Sequence, residues 1–270
     1  MTSIIAWMAV DSRQPTALYF ASDSRRTHVG GRIADDCTKK LYVPRNSVEI
    51  FAFSGDVGFA SNSLEKLCRS IEADCIPLGL RTSPYGRTEW ICDFLRPELS
   101  AAPVKPVYNT TILHGSRHSW GTTVSFTLHA FKVQIGSDRL EIEELSAELK
   151  QSSVIEINGS GEKHVQRAVD ATIDATGDYS RAYFAGFCES VMSGKDPLSG
   201  GPVQLVGIGC KSCSQHFGVV LPHGAFYQGI PCDEAKESVK WRNYRFEEVT
   251  HKGVLLDGAQ RHSWRSFRIL

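Results

Sequence analysis

The chain of 270 residues contains no apolar run close to the roughly 20 residues that a membrane-spanning helix requires. It also lacks the basic stretch and apolar segment of a secretory signal, because strand-like sequence begins directly after Met1. Neither sign of charge is in excess, since 30 Lys and Arg residues balance 30 Asp and Glu residues. We therefore expect a cytoplasmic protein whose main partner is neither a membrane nor a nucleic acid.

Cysteine is present without the spacing of a structural zinc site. Cys210 and Cys213 form a CxxC pair, but no second pair follows at zinc spacing. His216 and His223 come next along the chain and match no zinc template. The eight cysteines are typical of reduced, partly buried thiols in an intracellular chain. We expect no metal and no cofactor.

The periodicity of apolar residues predicts the order of the secondary-structure elements. Strands are expected at 4–10, 17–22, 40–43, 48–53, 122–133, 139–145, 154–157, 202–208 and 216–221. Helices are expected at 56–73, 89–99, 162–176 and 180–193. Residues 25–36 are predicted to form a loop, and residues 109–120 a loop or a short strand. Antiparallel strands with two blocks of helices favour a layered α+β fold over a doubly wound parallel sheet.

Thr2 is the most informative single residue, because it stands between Met1 and the first predicted strand. Met before a small residue is normally removed after synthesis, and Thr2 would then become the first residue. Its free α-amine has an ordinary pKa only slightly above neutral, so a useful fraction is unprotonated. One residue would then supply both a hydroxyl nucleophile and a general base.

Four motifs in a fixed order carry a resemblance to a known family. They are Thr2 before the first strand, residues 21–27 (ASDSRRT), residues 38–41 (TKKL) with residues 54–55 (SG), and residues 158–161 (NGSG) paired with residues 196–201 (DPLSGG). This series resembles proteasome β subunits and the bacterial HslV-type peptidase, which are N-terminal nucleophile (Ntn) hydrolases. The resemblance spans residues 2 to about 221. It implies a four-layer αββα sandwich of two antiparallel sheets flanked by helices.

The resemblance implies a role for each motif. Thr2 is similar to the family's nucleophile, and Lys40 is similar to its buried lysine. Asp23 would form an ion pair with Lys40 and hold it in place, since an unpaired buried ammonium is costly. Gly55 resembles the glycine whose N–H group stabilises the oxyanion. Three further residues resemble those that position the amine, the N terminus and a water: Ser160, Asp196 and Ser199.

The same resemblance implies where a substrate binds. An extended polypeptide would pair as a β-strand along residues near Thr27 and Gly55. Five residues are expected near the pocket for the residue before the cleaved bond: Arg26, Thr38, Tyr42, Phe53 and Val57. Tyr42 and Phe53 would make that pocket apolar.

The leading hypothesis is a proteasome-like threonine peptidase without a propeptide, activated by removal of Met1. The resemblance also implies a ring or spiral of identical subunits and an ATPase unfoldase as a partner. One alternative is an Ntn amidase or acylase that acts on a small amide, and another is a catalytically silent, proteasome-like structural subunit. We expect an Ntn-hydrolase domain at 1–221 with an insertion at about 76–120. Residues 222–270 would form a C-terminal extension packed on the same domain.

Overall fold

The computed structural model describes residues 2–11, 14–28, 30–81, 83–118, 124–147 and 150–259. These ranges form sixteen strands and five helices. In chain order the elements are β1 (Ser3–Val10), β2 (Pro15–Ser22), β3 (Arg26–Thr27), β4 (Ile33–Asp35), β5 (Leu41–Tyr42), β6 (Glu49–Ser54), α1 (Val57–Glu72), α2 (Leu78–Arg81), α3 (Pro84–Ala101), β7 (Thr110–Arg117), β8 (Phe126–Val133), β9 (Leu140–Leu145), β10 (Ser153–Gly159), α4 (Glu162–Thr176), α5 (Ser180–Met192), β11 (Gln204–Gly209), β12 (Gln215–Leu221), β13 (Gly224–Tyr227), β14 (Ile230–Pro231), β15 (Trp241–Asn243) and β16 (Glu248–Val249).

Two large sheets form the centre of the molecule. The first has the strand order β10-β1-β2-β11-β12-β13-β14, with β15 also paired to β12 and β16 paired to β15. The second has the order β5-β6-β7-β8-β9 and is antiparallel throughout. A two-stranded hairpin of β3 and β4 stands apart from both sheets among the described residues.

Three apolar cores show that these elements are stacked in four layers. One core joins the first sheet to α4 and α5, and another joins the second sheet to α1 and α3. The third core lies between the two sheets. The arrangement is the αββα sandwich that the sequence predicts.

The position of strand β1 between two apolar cores explains why its sequence is apolar. Ile5 and Trp7 face the helices α4 and α5, whereas Ile4 and Ala6 face the second sheet. Successive side chains of a strand point to opposite faces, so a strand in the middle of four layers must be apolar on both. Trp7 also stacks on Tyr19 of β2, with 5.3 Å between the ring centroids.

The helices agree with the sequence prediction at three of the four predicted positions. Helix α4 has the predicted bounds, and α1 and α5 differ from them by one residue at one or both ends. Helix α3 begins five residues earlier than predicted, at Pro84, because Ser83 caps it by accepting a hydrogen bond from the Gly86 amide (3.2 Å). The short helix α2 was not predicted.

One prediction about an irregular segment needs correction, and for another the structure decides between the two alternatives, a loop and a strand. Residues 25–36 contain the short hairpin of β3 and β4, and residues 110–117 form β7, a full strand between β6 and β8. The apolar pattern does not identify β7 as a full strand, because several of its buried side chains are polar and have partners elsewhere in the fold. His114 bonds Glu49, and Arg117 donates to the carbonyl groups of Gly209 and Ser212. Residues 119–123, which overlap the predicted segments 109–120 and 122–133, lie outside the described residues.

The segment after residue 221 continues the first sheet. Strand β12 pairs with β13 in the antiparallel direction and with β15 in the parallel direction. Trp241 of β15 covers Gly218, where a Cβ atom would lie 2.2 Å from the indole ring. Phe226 joins the core beneath α5. Residues 260–270 of the expected extension lie outside the described part of the chain.

Candidate active site

A buried ion pair joins the ends of two strands near the start of β1. Lys40 Nζ lies 2.7 Å from Asp23 Oδ1, and both side chains have no solvent exposure. Asp23 immediately follows β2 and Lys40 immediately precedes β5, so the pair spans the two sheets. The contact that the sequence predicts between these residues is present.

Asp23 has more partners than Lys40 alone. Its Oδ1 accepts a hydrogen bond from the Ser3 amide (3.0 Å), and its Oδ2 accepts one from the Gly200 amide (2.9 Å) and one from the Arg25 amide (3.2 Å). The carboxylate therefore connects the lysine to the backbone directly after Thr2. Four donors satisfy a buried charge that would otherwise be costly.

Lys40 and its neighbour Lys39 occupy different environments. Burial lowers the pKa of Lys40 below its ordinary value, although the adjacent Asp23 opposes that effect. Lys39 points to the other side of the chain, where its Nζ lies 4.4 Å from the centre of the Tyr42 ring. Because Lys40 makes the buried contact with Asp23, the second lysine of the pair is the one at the candidate site.

Thr2 lies beside this ion pair through its neighbour Ser3. It is buried, and among the described residues its hydroxyl has no hydrogen-bond partner. The backbone around it is tightly enclosed, since a Cβ atom on Gly159 would lie 1.8 Å from the Thr2 carbonyl oxygen. Met1, whose removal is predicted, lies outside the described residues.

A second polar cluster contacts the start of β1. Asp196 Oδ2 accepts hydrogen bonds from Ser199 Oγ (2.6 Å) and Ser160 Oγ (3.1 Å). Ser199 Oγ also lies 2.7 Å from Ser3 Oγ. Gly161 is at the centre of this cluster, where a Cβ atom would lie 2.0 Å from Ser3 Oγ. The structure therefore brings the three predicted positioning residues together around Ser3, next to Thr2.

Gly55 forms the turn between β6 and α1. Its φ angle is +105°, a conformation that side chains rarely adopt. A Cβ atom there would lie 2.3 Å from the carbonyl oxygen of Asn109. The neighbouring Ser54 side chain donates a hydrogen bond to Asn158, which pairs with Ile4 of β1. These contacts tie the turn to the strand that Thr2 precedes.

The residues predicted to bind substrate fall into two groups. Arg26 and Thr38 both contact Asp35 of the β3–β4 hairpin, at 2.9 Å and 2.6 Å, and Thr27 is buried in β3. Tyr42, Phe53 and Val57 belong to the core beneath α1. Tyr42 and Phe53 are buried in that core, and Tyr42 also borders a surface pocket that Lys39, Val43 and Cys68 line. Their part in receiving a substrate side chain stays a prediction.

Gln204 is a site residue that the sequence analysis missed. Its Oε1 accepts a hydrogen bond from the Lys40 amide (3.1 Å), and its Nε2 donates to the carbonyl oxygen of Thr38 (2.8 Å) and to Ser24 Oγ (2.8 Å). The signal in the sequence is a lone glutamine inside the apolar strand 202–208, where a buried polar side chain requires partners.

None of the described helices is both long and apolar enough to cross a membrane. Across the same part of the chain, no three His, Cys, Asp or Glu side chains are grouped so that they could hold a metal ion.

The fold is similar to that of a solved structure, an Anbu (ancestral β-subunit) protein from Yersinia bercovieri. The two share 15% sequence identity with a TM-score of 0.54, over 79% of this chain and 86% of that chain. The chain has a proteasome-like fold. At this identity the likeness to Anbu concerns the fold alone. No protein-family model matches the sequence, and neither does any curated protein. Within this proteasome-like fold, the Asp23–Lys40 pair contacts the amide of Ser3 and the Asp196 cluster contacts its hydroxyl.

Proposed function

We propose that the protein is an N-terminal threonine peptidase that cleaves extended polypeptide after removal of Met1. The observation that carries the proposal is the buried Lys40–Asp23 ion pair, which is hydrogen-bonded to the amide of Ser3, the residue after Thr2. The Thr2 hydroxyl is buried and has no hydrogen-bond partner among the described residues. A lysine and an aspartate with no solvent exposure are expensive to bury for structural reasons alone. Chemistry at Thr2 gives that cost a purpose.

The reaction follows from the groups around Thr2. Thr2 Oγ attacks the peptide carbonyl carbon, and the α-amine of Thr2 takes the hydroxyl proton, through a water molecule. The positive charge of Lys40 favours the alkoxide and keeps the nearby amine neutral. The Gly55 N–H group stabilises the oxyanion, and collapse of the intermediate releases the amine product. Water then hydrolyses the acyl ester and restores Thr2.

The remaining residues position the reactants. Ser160, Asp196 and Ser199 hold the start of β1 and orient the free amine. The substrate pairs in extended form between the backbone near Thr27 and that near Gly55. Arg26, Thr38, Tyr42, Phe53 and Val57 form the region that receives the side chain before the cleaved bond, with Phe53 contributing from the core beneath it.

Assembly, location and partners belong to the same proposal. The proteasome-like fold supports a homo-oligomer, in the form of a ring or a spiral, that restricts access to unfolded polypeptide. An ATPase unfoldase would then deliver the substrate. A cytoplasmic location fits these partners, and removal of Met1 during synthesis takes place there. Electron microscopy of the purified protein tests the assembly by showing whether a closed chamber forms.

Intact-protein mass spectrometry tests the chemistry. The purified chain is expected to lack Met1 and to gain one adduct from a peptide epoxyketone, which reacts with both the hydroxyl and the α-amine of an N-terminal threonine. Thr2→Ser should retain the adduct, and Thr2→Ala should lose it together with peptide hydrolysis while keeping its thermal midpoint. A chain that retains Met1, or a Thr2→Ala variant that hydrolyses peptide at the wild-type rate, would overturn the proposal.

A further inference from the structure

The buried amide of Gln204 joins the two chain segments that carry the ion pair. Through Oε1 it holds the backbone of Lys40, and through Nε2 it holds the backbone of Asp23 (3.3 Å) and of Thr38 (2.8 Å). Gln204 is itself only 1% exposed. Among the described residues, no other side chain forms hydrogen bonds with the backbone of both Asp23 and Lys40. The Thr38 amide also links these segments by donating to the carbonyl oxygen of Ser24 (2.9 Å), and Gln204 is the side chain that reinforces their spacing.

The turn between β13 and β14 closes over this glutamine. Gln228 and Gly229 form that turn, both with positive φ angles (55° and 80°). A Cβ atom on Gly229 would lie 2.4 Å from Ser24 Oγ and 3.0 Å from Gln204 Nε2. Gly229 is buried although it lies at the tip of a hairpin. The backbone of the C-terminal segment at Gly229 thus packs against the side-chain amide of Gln204.

We propose that Gln204, held in place by the turn at Gly229, is a positioning residue that sets the geometry of the Lys40–Asp23 pair. This inference rests on the proposed function, because it assigns Gln204 to the same site. It also gives the segment after residue 221 a place in the active centre. Misplacement of a reacting group by about 1 Å costs about 100-fold in rate, so loss of this support should be visible in the reaction.

Two substitutions of Gln204 separate positioning from bulk. Gln204→Met keeps the length and volume of the side chain but removes every hydrogen bond, so we expect epoxyketone labelling of Thr2 to slow by about 10- to 100-fold. Gln204→Glu keeps the acceptor for the Lys40 amide and adds a negative charge. That charge favours the protonated form of a nearby base, so the pH at half-maximal labelling should rise. A purely structural role would lower the thermal midpoint of Gln204→Met without slowing the labelling of Thr2 in the folded protein.

A matched glycine pair tests the turn. Gly229→Ala introduces a methyl group against Ser24 and Gln204, and labelling should slow by about 10-fold or more. Gly258→Ala is the control, since Gly258 has a φ angle of +79° and nothing within 4 Å of its Cβ position. Both variants carry the same backbone strain, and only Gly229→Ala disturbs the glutamine.

Hydrogen exchange provides a readout that does not depend on activity. The Lys40 amide should exchange faster in Gln204→Met than in the wild type, and should keep its protection in Gln204→Glu. A wild-type chain that is not labelled at any pH would contradict the proposed function. Hydrogen exchange of the Lys40 amide would in that case still test whether Gln204 holds the backbone of Lys40. Labelled wild type together with Gln204 variants that match its rate, pH profile and exchange would overturn the inference alone.

Discussion

At the scale of single residues, burial and partners distinguish two lysines that are adjacent in the sequence. Lys40 is fully enclosed and paired with Asp23, whereas Lys39 packs on the Tyr42 ring near the carboxylates of Glu65 and Glu72. Removing one partner of a buried pair leaves an uncompensated charge, which costs about 3–5 kcal/mol. The two lysines should therefore respond very differently to substitution.

Lys40→Met is expected to lower the free energy of unfolding by about 3–5 kcal/mol, because Asp23 then keeps a buried charge without its cation. The variant should also lose about 10²- to 10⁴-fold in peptide hydrolysis. Urea unfolding at pH 7 and a peptidase assay measure the two effects. Lys39→Met is the control and should cost about 1 kcal/mol or less. A silent Lys40→Met beside a severe Lys39→Met would move the assignment by one residue.

His216 of β12 makes stability depend on pH. Burial lowers the pKa of His216 to about 3, with a smaller contribution from the charge of Lys39. The unfolded chain binds a proton near the ordinary histidine pKa and the folded chain does not, so stability is complete above about pH 6.5 and falls as the pH drops toward 3. His216→Leu should make the fall of the urea midpoint less steep over that pH range, while His118 and His129, whose pKa values burial lowers to about 4, still contribute. A midpoint that falls as steeply as in the wild type would contradict this account.

At the scale of elements, one close contact sets the distance between α4 and α5. Gly186 of α5 lies against α4, where a Cβ atom would be 2.6 Å from Val169 Cα. Glycine weakens a helix by about 1 kcal/mol relative to alanine, so its presence inside α5 needs a packing reason. The backbone of α4 provides that reason.

Gly186→Ala should therefore lower the free energy of unfolding, even though alanine is the better helix former. Overpacking against a backbone atom costs about 1–3 kcal/mol, which exceeds the gain in propensity. Gly58→Ala in α1 is the matched control, because Gly58 is exposed and its nearest contact is a side-chain oxygen at 3.4 Å. Urea unfolding measures both variants. A stabilised Gly186→Ala would show that the helices can separate without cost.

At the scale of the whole molecule, the first sheet is complete only with the C-terminal strands. Strand β12 pairs with β13 along one edge and with β15 along the other. Phe226 and Trp241 pack over its buried residues. Without them, β12 would expose an apolar strand with unpaired backbone groups. The same segment supports the candidate site through Gly229.

A chain that ends at Leu221 is expected to aggregate and to lose cooperative unfolding, because it exposes this strand. The soluble fraction after expression and the thermal transition followed by circular dichroism measure the outcome. The point variant Trp241→Ala, which opens a cavity over Gly218, should remain folded but lose about 3–5 kcal/mol. A soluble, cooperative chain ending at Leu221 would show that the strands after it are an independent addition.

The amino-acid sequence by itself determined the features that depend on local pattern. The bounds of α4, the uninterrupted apolar strand β1 and the order of the four motifs were all readable, since periodicity and short-range spacing encode them. The pairing of Asp23 with Lys40 was also predictable, because the family resemblance supplied the long-range contact.

The tertiary structure decided what depends on contacts between distant segments. Strand β7 looks irregular until Glu49 and the carbonyl groups of the 209–212 turn provide partners for its polar side chains. Gln204 reaches its hydrogen-bond partners only because β11 pairs with β2. Gly229 contacts Ser24 and Gln204 only because the turn after β13 folds back over them. Buried polar groups are satisfied by partners far away in the chain, and no local pattern records where those partners lie.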